Sequence, residues 1–328
     1  MPSFVRHSLL TLSLAALLLA PAHAQNTGAE FKPQVGQAGK DVIWVPTPKS
    51  LVEKMLKMAD VKPTDVVFDL GSGDGITVIT AAKQFGVRAT GIEYNPDMVE
   101  LSKRNAQKEG VSEKAQFIRG DIFAADFSQA TVLTMYLLPY LNIKLRPTIL
   151  NMKPGTRVVS HAFTMEDWTP DQTDSTEGRT AYLWIVPAKV EGNWKMDSGS
   201  IELKQKFQNF DGVFRNGDGM SWRVTSTNLR GDQISFSAGN IEYSGRVSGG
   251  TMSGTGSTTV ASGAALGISG SGTKTLATRT LDNRGTVTWT GGTLNLSDAA
   301  ATLSNRSGAT FNVQNASAAE SITGPGTF

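Results

Sequence analysis

Between Asp41 and Val186, short apolar runs alternate with stretches whose apolar residues recur at one-face helical spacing. That is the pattern of strand and helix units around a mainly parallel sheet. Leu51, Val52, Met55, Leu56 and Ala59 fall on one face of a predicted helix. A further helix is marked in "NPDMVELSKRNAQ", where Asn95 stands as N-cap, Pro96 as first helical residue and Glu100 early in the helix. The apolar runs predict strands over Val66 to Leu70, Ala89 to Glu93, Ala115 to Ile118, Ala130 to Met135, Thr156 to Ser160 and Tyr182 to Val186.

Helical spacing stops near Pro187. Over 187–250 the runs "SIELKQKF", "SWRVTST", "QISFSA" and "IEYSGRV" are separated by "NGDG", "RGD" and "GN" turns, which predicts a small antiparallel β domain. Over 255–328 the composition moves to Gly, Ser, Thr, Ala and Asn, and "LDNRGTVTW" at 281 is echoed by "LSNRSGATFNV" at 303, a period of 22. Such a period fits the coils of a β-solenoid, with a disordered low-complexity tail as the alternative. The solenoid reading places Val287, Trp289, Leu294, Leu296, Phe311 and Val313 in the inward-facing stack.

Composition then narrows the chemistry. A chain of 328 residues exceeds one ordinary domain, and its formal charge of +2 with no dense Lys/Arg run gives no nucleic-acid surface. Cysteine is absent and His161 is the one histidine beyond residue 24, which removes disulfides, thiol nucleophiles and His-rich metal sites. Residues 1–24 combine a basic start at Arg6, an apolar stretch from Leu9 to Ala20 and small residues at Ala22 and Ala24. They predict a signal peptide cleaved after Ala24 and an exported, periplasmic or envelope protein; the alternative is an uncleaved anchor. No later segment is apolar enough to span a membrane.

The glycine-rich turn "DLGSGDG" ends the first predicted strand. A Walker loop is excluded because no Gly-Lys-Ser/Thr follows Gly75, and a dinucleotide fingerprint is weakened because Ile76 stands where its last glycine belongs. Asp69, Gly71, Gly73 and Gly75 instead form D-x-G-x-G-x-G. Glycines admit close backbone approach, and a strand-end carboxylate can meet an ammonium group. Glu93 closes the next strand about 20 residues on, where an acid can accept from ribose hydroxyls. Asp121, with Ile122 beside it, follows the third strand. Each has a bland alternative: a solvated strand end for Glu93, a turn cap for Asp121 and a tight turn for the glycines.

The D-x-G-x-G-x-G motif resembles that of class I S-adenosylmethionine-dependent methyltransferases. "VPTP" at 45, "GIEYNPDMVELSKRNA", "GDIFAADFSQATVLTMYLLPYLNIKLRPTIL" and "MKPGTRVVSHAFTMEDWTPD" narrow the likeness over Val45 to Asp171. There the chain is similar to the family of the lysine methyltransferases that act on the c subunit of ATP synthase and the adenine nucleotide carrier. The resemblance implies a Rossmann-like α/β methyltransferase domain over 41–186 that binds S-adenosyl-L-methionine. In it Asp69 faces the methionine portion, Glu93 the ribose, and Asp121 and Ile122 the adenine. It also implies a protein lysine as acceptor and an acceptor site at "TMYLLP", with Tyr136 and Pro139 as catalytic candidates. Core packing is the alternative for Tyr136. Trp44 and Trp168 are candidates for an aromatic entrance, and His161 is either a site residue or a satisfied structural one. A different class of function is also open: an exported envelope binding or structural protein that keeps the fold without catalysis.

Overall fold

Five consecutive apolar-rich residues make β1 (Val66–Leu70), and side-chain alternation sends Val67 to one face of its sheet and Phe68 and Leu70 to the other. The computed structural model describes residues 31–196, 199–239, 241–253, 257–269, 272–276, 279–299, 301–314 and 321–328. Residues 1–24, read as a signal peptide, lie outside them. One compact unit spans Pro33–Phe328.

After α1 (Lys49–Met58) and β1 come α2 (Ile76–Phe85), β2 (Arg88–Glu93), α3 (Pro96–Lys108), β3 (Ala115–Arg119), β4 (Val132–Met135), α4 (Pro139–Ile149), β5 (Arg157–His161), β6 (Gln172–Thr176) and β7 (Arg179–Ile185). They build a seven-stranded sheet in the order β3-β2-β1-β4-β5-β7-β6. β1 to β5 run parallel and β7 is antiparallel to both β5 and β6. The order reverses between β1 and β4, and the crevice at such a switch point is where open α/β sheets bind ligands. One core layer packs Leu51, Val52, Met55 and Leu56 of α1 against Val78 and Ala81 of α2, and the opposite layer joins Leu141 and Leu145 of α4 to Trp168 and Trp184. Asn95 caps α3, accepting from the amides of Asp97 (2.9 Å) and Met98 (3.4 Å), with Pro96 in the first turn. β6 has no counterpart in the hydrophobic pattern, because "QTDST" is polar throughout and forms an exposed edge strand.

Six strands follow: β8 (Gly192–Met196), β9 (Gly199–Lys206), β10 (Asn209–Asn216), β11 (Ser221–Arg230), β12 (Gln233–Ala238) and β13 (Ile241–Ser248). They form an antiparallel meander with its own core around Ile201, Phe210, Phe214 and Phe236, and β14 (Thr251–Ser253) pairs back on β13.

Beyond it run β15 (Ser257–Val260), β16 (Ala265–Ile268), β17 (Lys274–Leu276), β18 (Thr280–Asn283), β19 (Thr286–Trp289), β20 (Leu294–Leu296), β21 (Thr302–Asn305), β22 (Thr310–Val313) and β23 (Ile322–Thr323). They stack in parallel as three faces: β15-β18-β21, β16-β19-β22 and β17-β20-β23. Leu281 stands beside Leu303 and Asn283 beside Asn305, and Asn283 Nδ2 donates to Asn305 Oδ1 at 2.6 Å, so the 22-residue echo is one turn of a β-solenoid. Val287, Trp289, Leu294 and Leu296 point inward and Phe311 packs against them partly buried, but Val313 is 60% exposed. Its strand is paired on one side alone among the described residues, so the inward stack ends before it. β13 pairs antiparallel with β15, so the meander and the first solenoid face share one ten-stranded sheet. Among the described residues no helix is long and apolar enough to cross a membrane.

Candidate active site

The carboxyl end of β1 turns through the glycine motif into α2, and the amides of Gly71 and Ser72 both donate to the Ile92 carbonyl (2.9 and 3.1 Å), which ties the turn to β2. Gly73 and Gly75 have φ of +53° and +84°, a left-handed backbone that favours glycine. A Cβ on Gly73 would lie 2.6 Å from Trp44 Nε1, and one on Gly75 would lie 2.7 Å from Phe117 Cζ. The glycines therefore let the turn nest against the protein's own aromatic side chains.

Glu93 locks this turn from the end of β2. Its Oε2 accepts from the Gly73 amide (3.0 Å) and its Oε1 from the Asn95 amide (2.8 Å), leaving further lone pairs for a ligand hydroxyl. Asp69 is 6% exposed, and its Oδ1 accepts from the hydroxyl of Thr134, a fully buried residue of β4, at 2.6 Å. Burial pushes the Asp69 carboxyl up to about 7, and the negative charges of Asp74 and Glu93 act in the same direction. Asp121 follows β3; the Lys40 ammonium at 2.8 Å and the Phe123 amide at 3.0 Å hold it below the usual carboxylate range.

These strand ends open into a cavity of about 310 Å³, at the lower end of the roughly 300–1,000 Å³ typical of small-molecule sites. Asp69, Gly71, Gly73, Glu93, Asp121, Ile122 and Tyr136 all line it. Gly75 lies outside the lining: it starts α2 and packs on Phe117 and Ser102. Pro139 also lies outside, exposed in the first turn of α4 where its missing amide proton costs no helical bond. Trp168 is no entrance residue, being fully buried against Trp184 and Phe207, whereas Trp44 does line the cavity.

Tyr136 marks the far side. Its ring stacks on His161 with centroids 3.7 Å apart and faces Phe163 at 6.0 Å. His161 is 1% exposed and its Nδ1 pairs with Thr47 Oγ1 at 3.1 Å. Burial, aided by the charge of Arg179, pushes the imidazole down to about 4, so it is neutral at physiological pH. Lys40, Thr134 and Phe163 complete the site; Thr134 opens the "TMYLLP" motif, but nothing within the motif singles it out. Phe163 carried one usable signal, as the aromatic just beyond the fifth strand; Lys40 lies in a segment without periodicity.

Five carboxylates line the cavity (Asp41, Asp69, Asp74, Glu93 and Asp121) against one cation, Lys40, among the described lining residues. An acidic pocket of this kind attracts an ammonium or sulfonium ligand and repels a pyrophosphate. That disfavours a dinucleotide further and fits S-adenosylmethionine, which carries both cationic groups.

The ANTKMT methyltransferase domain family matches residues 69–172. A protein-lysine N-methyltransferase of Saccharolobus islandicus (strain REY15A) is 42% identical over 151 residues, covering 44% of this chain and 94% of the relative. The lysine N-methyltransferase of the ATP synthase c protein from Rattus norvegicus is 35% identical over 146 residues, covering 44% of this chain and 67% of the relative. Among solved structures, the chain is similar to an RNA methyltransferase from Salinibacter ruber in complex with S-adenosyl-L-homocysteine, with 52% identity, a TM-score of 0.44, and coverage of 44% of this chain and 96% of that one. On the length and identity of its matches to the lysine methyltransferases, the chain belongs to their family of class I S-adenosylmethionine-dependent enzymes.

Proposed function

We propose that this enzyme methylates the side-chain amine of a lysine in a protein substrate, and that it does so outside the cytosol, where the leader read in residues 1–24 directs it. The observation that carries the reading is the charge of the cavity: five carboxylates against one ammonium at the strand ends of a glycine-turn sheet. Bound S-adenosylmethionine supplies an electrophilic methyl group on its sulfonium. In this reading Asp69 receives the ligand's ammonium, Glu93 the ribose hydroxyls, and Asp121 with Ile122 the adenine. Asp121 also keeps Lys40, which fastens the lining segment 37–47 beside the site.

The acceptor amine must arrive uncharged and aligned, and positioning supplies most of the rate in such a transfer. Tyr136, Phe163 and the neutral His161 behind them form an aromatic wall that favours the uncharged amine by desolvation. The relatives named as lysine methyltransferases support the same acceptor class. Incubation of the enzyme with methyl-labelled S-adenosylmethionine, an envelope extract and, separately, total RNA tests the proposal. Label on lysine residues, read by mass spectrometry as a gain of one CH₂ or a multiple, supports it. Label confined to RNA would overturn it. Fractionation of cells tests the location, with recovery solely in the cytosol as the contrary result.

A further inference from the structure

Phe163 reaches the cavity from the segment 162–171 that joins β5 to β6, and this segment is strained. Ala162 and Glu166 stand at φ of +63° and +55° without being glycine, a conformation that persists only where the surroundings over-determine it. Part of the restraint comes from α4: Asn142 donates to the carbonyls of Phe163 (3.3 Å) and Thr164 (3.1 Å), and Arg146 donates to the Met165 carbonyl (2.9 Å).

The rest comes from the β meander. Gln208 Nε2 donates to the Thr169 carbonyl at 2.7 Å, Lys206 pairs with Asp167 at 3.1 Å, and the Phe207 ring stacks on Trp168 (5.8 Å, 20°) beneath the Arg146 guanidinium (5.3 Å). Phe207 and Gln208 are the two loop residues of the β9–β10 hairpin, since Lys206 pairs with Asn209. Phe207 has φ +57° at the first loop position, where two-residue hairpins favour glycine or asparagine. A bulky aromatic in that conformation disfavours the turn, so the turn chemistry gives no reason for it. The ring's place between Trp168 and Arg146 does.

We infer that the β9–β10 hairpin is a positioning element for the acceptor side of the active site, with Phe207 and Gln208 holding the strained segment that presents Phe163. The inference rests on the proposed function for the identity of that side. It gives the meander a role in the reaction, although the family match ends at residue 172, ahead of the hairpin.

The test compares the full chain with its Phe207→Gly, Gln208→Ala and Phe207→Tyr variants. Glycine suits the turn, so Phe207→Gly keeps the hairpin while removing the ring. Amides of residues 163–168 should exchange about tenfold faster with deuterium in Phe207→Gly, and those of 69–75 at the unchanged rate. With S-adenosylmethionine and poly-L-lysine, KM for poly-L-lysine should rise about tenfold with kcat within about twofold. Gln208→Ala should show a smaller change in the same direction, and Phe207→Tyr should keep wild-type values. Unchanged exchange at 163–168, or faster exchange without a change in KM, overturns the inference. Failure of the wild-type chain to bind S-adenosylhomocysteine overturns the proposed function instead, and the exchange rates still decide the coupling.

Discussion

Asp69 and Asp282 are both buried carboxylates on parallel strands, 6% and 3% exposed, and the molecule treats them in opposite ways. Burial works to raise Asp282, but Arg306 from the next solenoid coil and its neighbour Arg284 more than reverse it and hold the carboxyl below its ordinary range. Asp69 receives hydroxyl hydrogen bonds from Thr134 and Thr77 and, among the described residues, pairs with no cation, and burial leaves it near 7. A buried acid with its cations in place ties coils together. A buried acid that lacks one, in the lining of a cavity, is suited to a cationic ligand, which the proposed function supplies as the ammonium of S-adenosylmethionine.

The comparison breaks most decisively at Asp69. Replacing it with Asn should weaken S-adenosylhomocysteine binding by about 100-fold, the order expected for losing a buried charge-assisted contact, with no loss of thermal stability at neutral pH. Glu93→Ala comes next. It removes two restraints on the turn together with the proposed ribose contact, and calorimetry should read a loss of about tenfold or somewhat more. Asp282→Asn should do the converse: denaturant unfolding should show a loss of about 1–2 kcal/mol, discounted because both arginines are more than half exposed. Its affinity for S-adenosylhomocysteine should stay at the wild-type value.

The last expected effect is a pH slope, set by a buried base where the others are set by acids. His161 sits at about 4 in the folded chain against an ordinary 6.5. Between those values the unfolded chain binds the extra proton, so His161 contributes stability that is present above about 6.5 and lost as pH falls toward 4. A His161→Phe variant, which keeps an aromatic partner for Tyr136, should flatten that part of the stability profile. An unaltered slope would show that the imidazole is not held neutral.

Much of this contrast is written in local patterns. β1 is a plain apolar run, the glycine spacing follows it, Glu93 ends β2 and Asp121 follows β3, so three registered strand ends were legible together. The 22-residue echo was legible because each solenoid coil repeats the residues it stacks, as Leu281 does with Leu303. What escaped depends on contacts between distant segments. Gly75 looked like a ligand contact, but its lack of a side chain serves Phe117, which the chain brings in from β3. Trp168 looked like an entrance residue, but a single loop aromatic has no periodicity to reveal that it turns inward onto Trp184. Phe207 read as a strand residue, and its left-handed turn conformation is visible only once β9 and β10 are paired. Polar β6 gave no hydrophobic signal at all.

Binding of S-adenosylhomocysteine to the full chain, measured by calorimetry at about pH 6 and about pH 8, decides whether Asp69 receives the ligand's ammonium. Asp69 is largely protonated below about 7 in the free protein, and a bound ammonium favours its ionised form. Affinity should therefore rise with pH up to about 7 and level off above it, with close to one proton released per ligand on the acid side. Asp69→Asn should abolish both the pH dependence and the proton release. No heat at about millimolar ligand, or binding that ignores both pH and Asp69, would contradict the account.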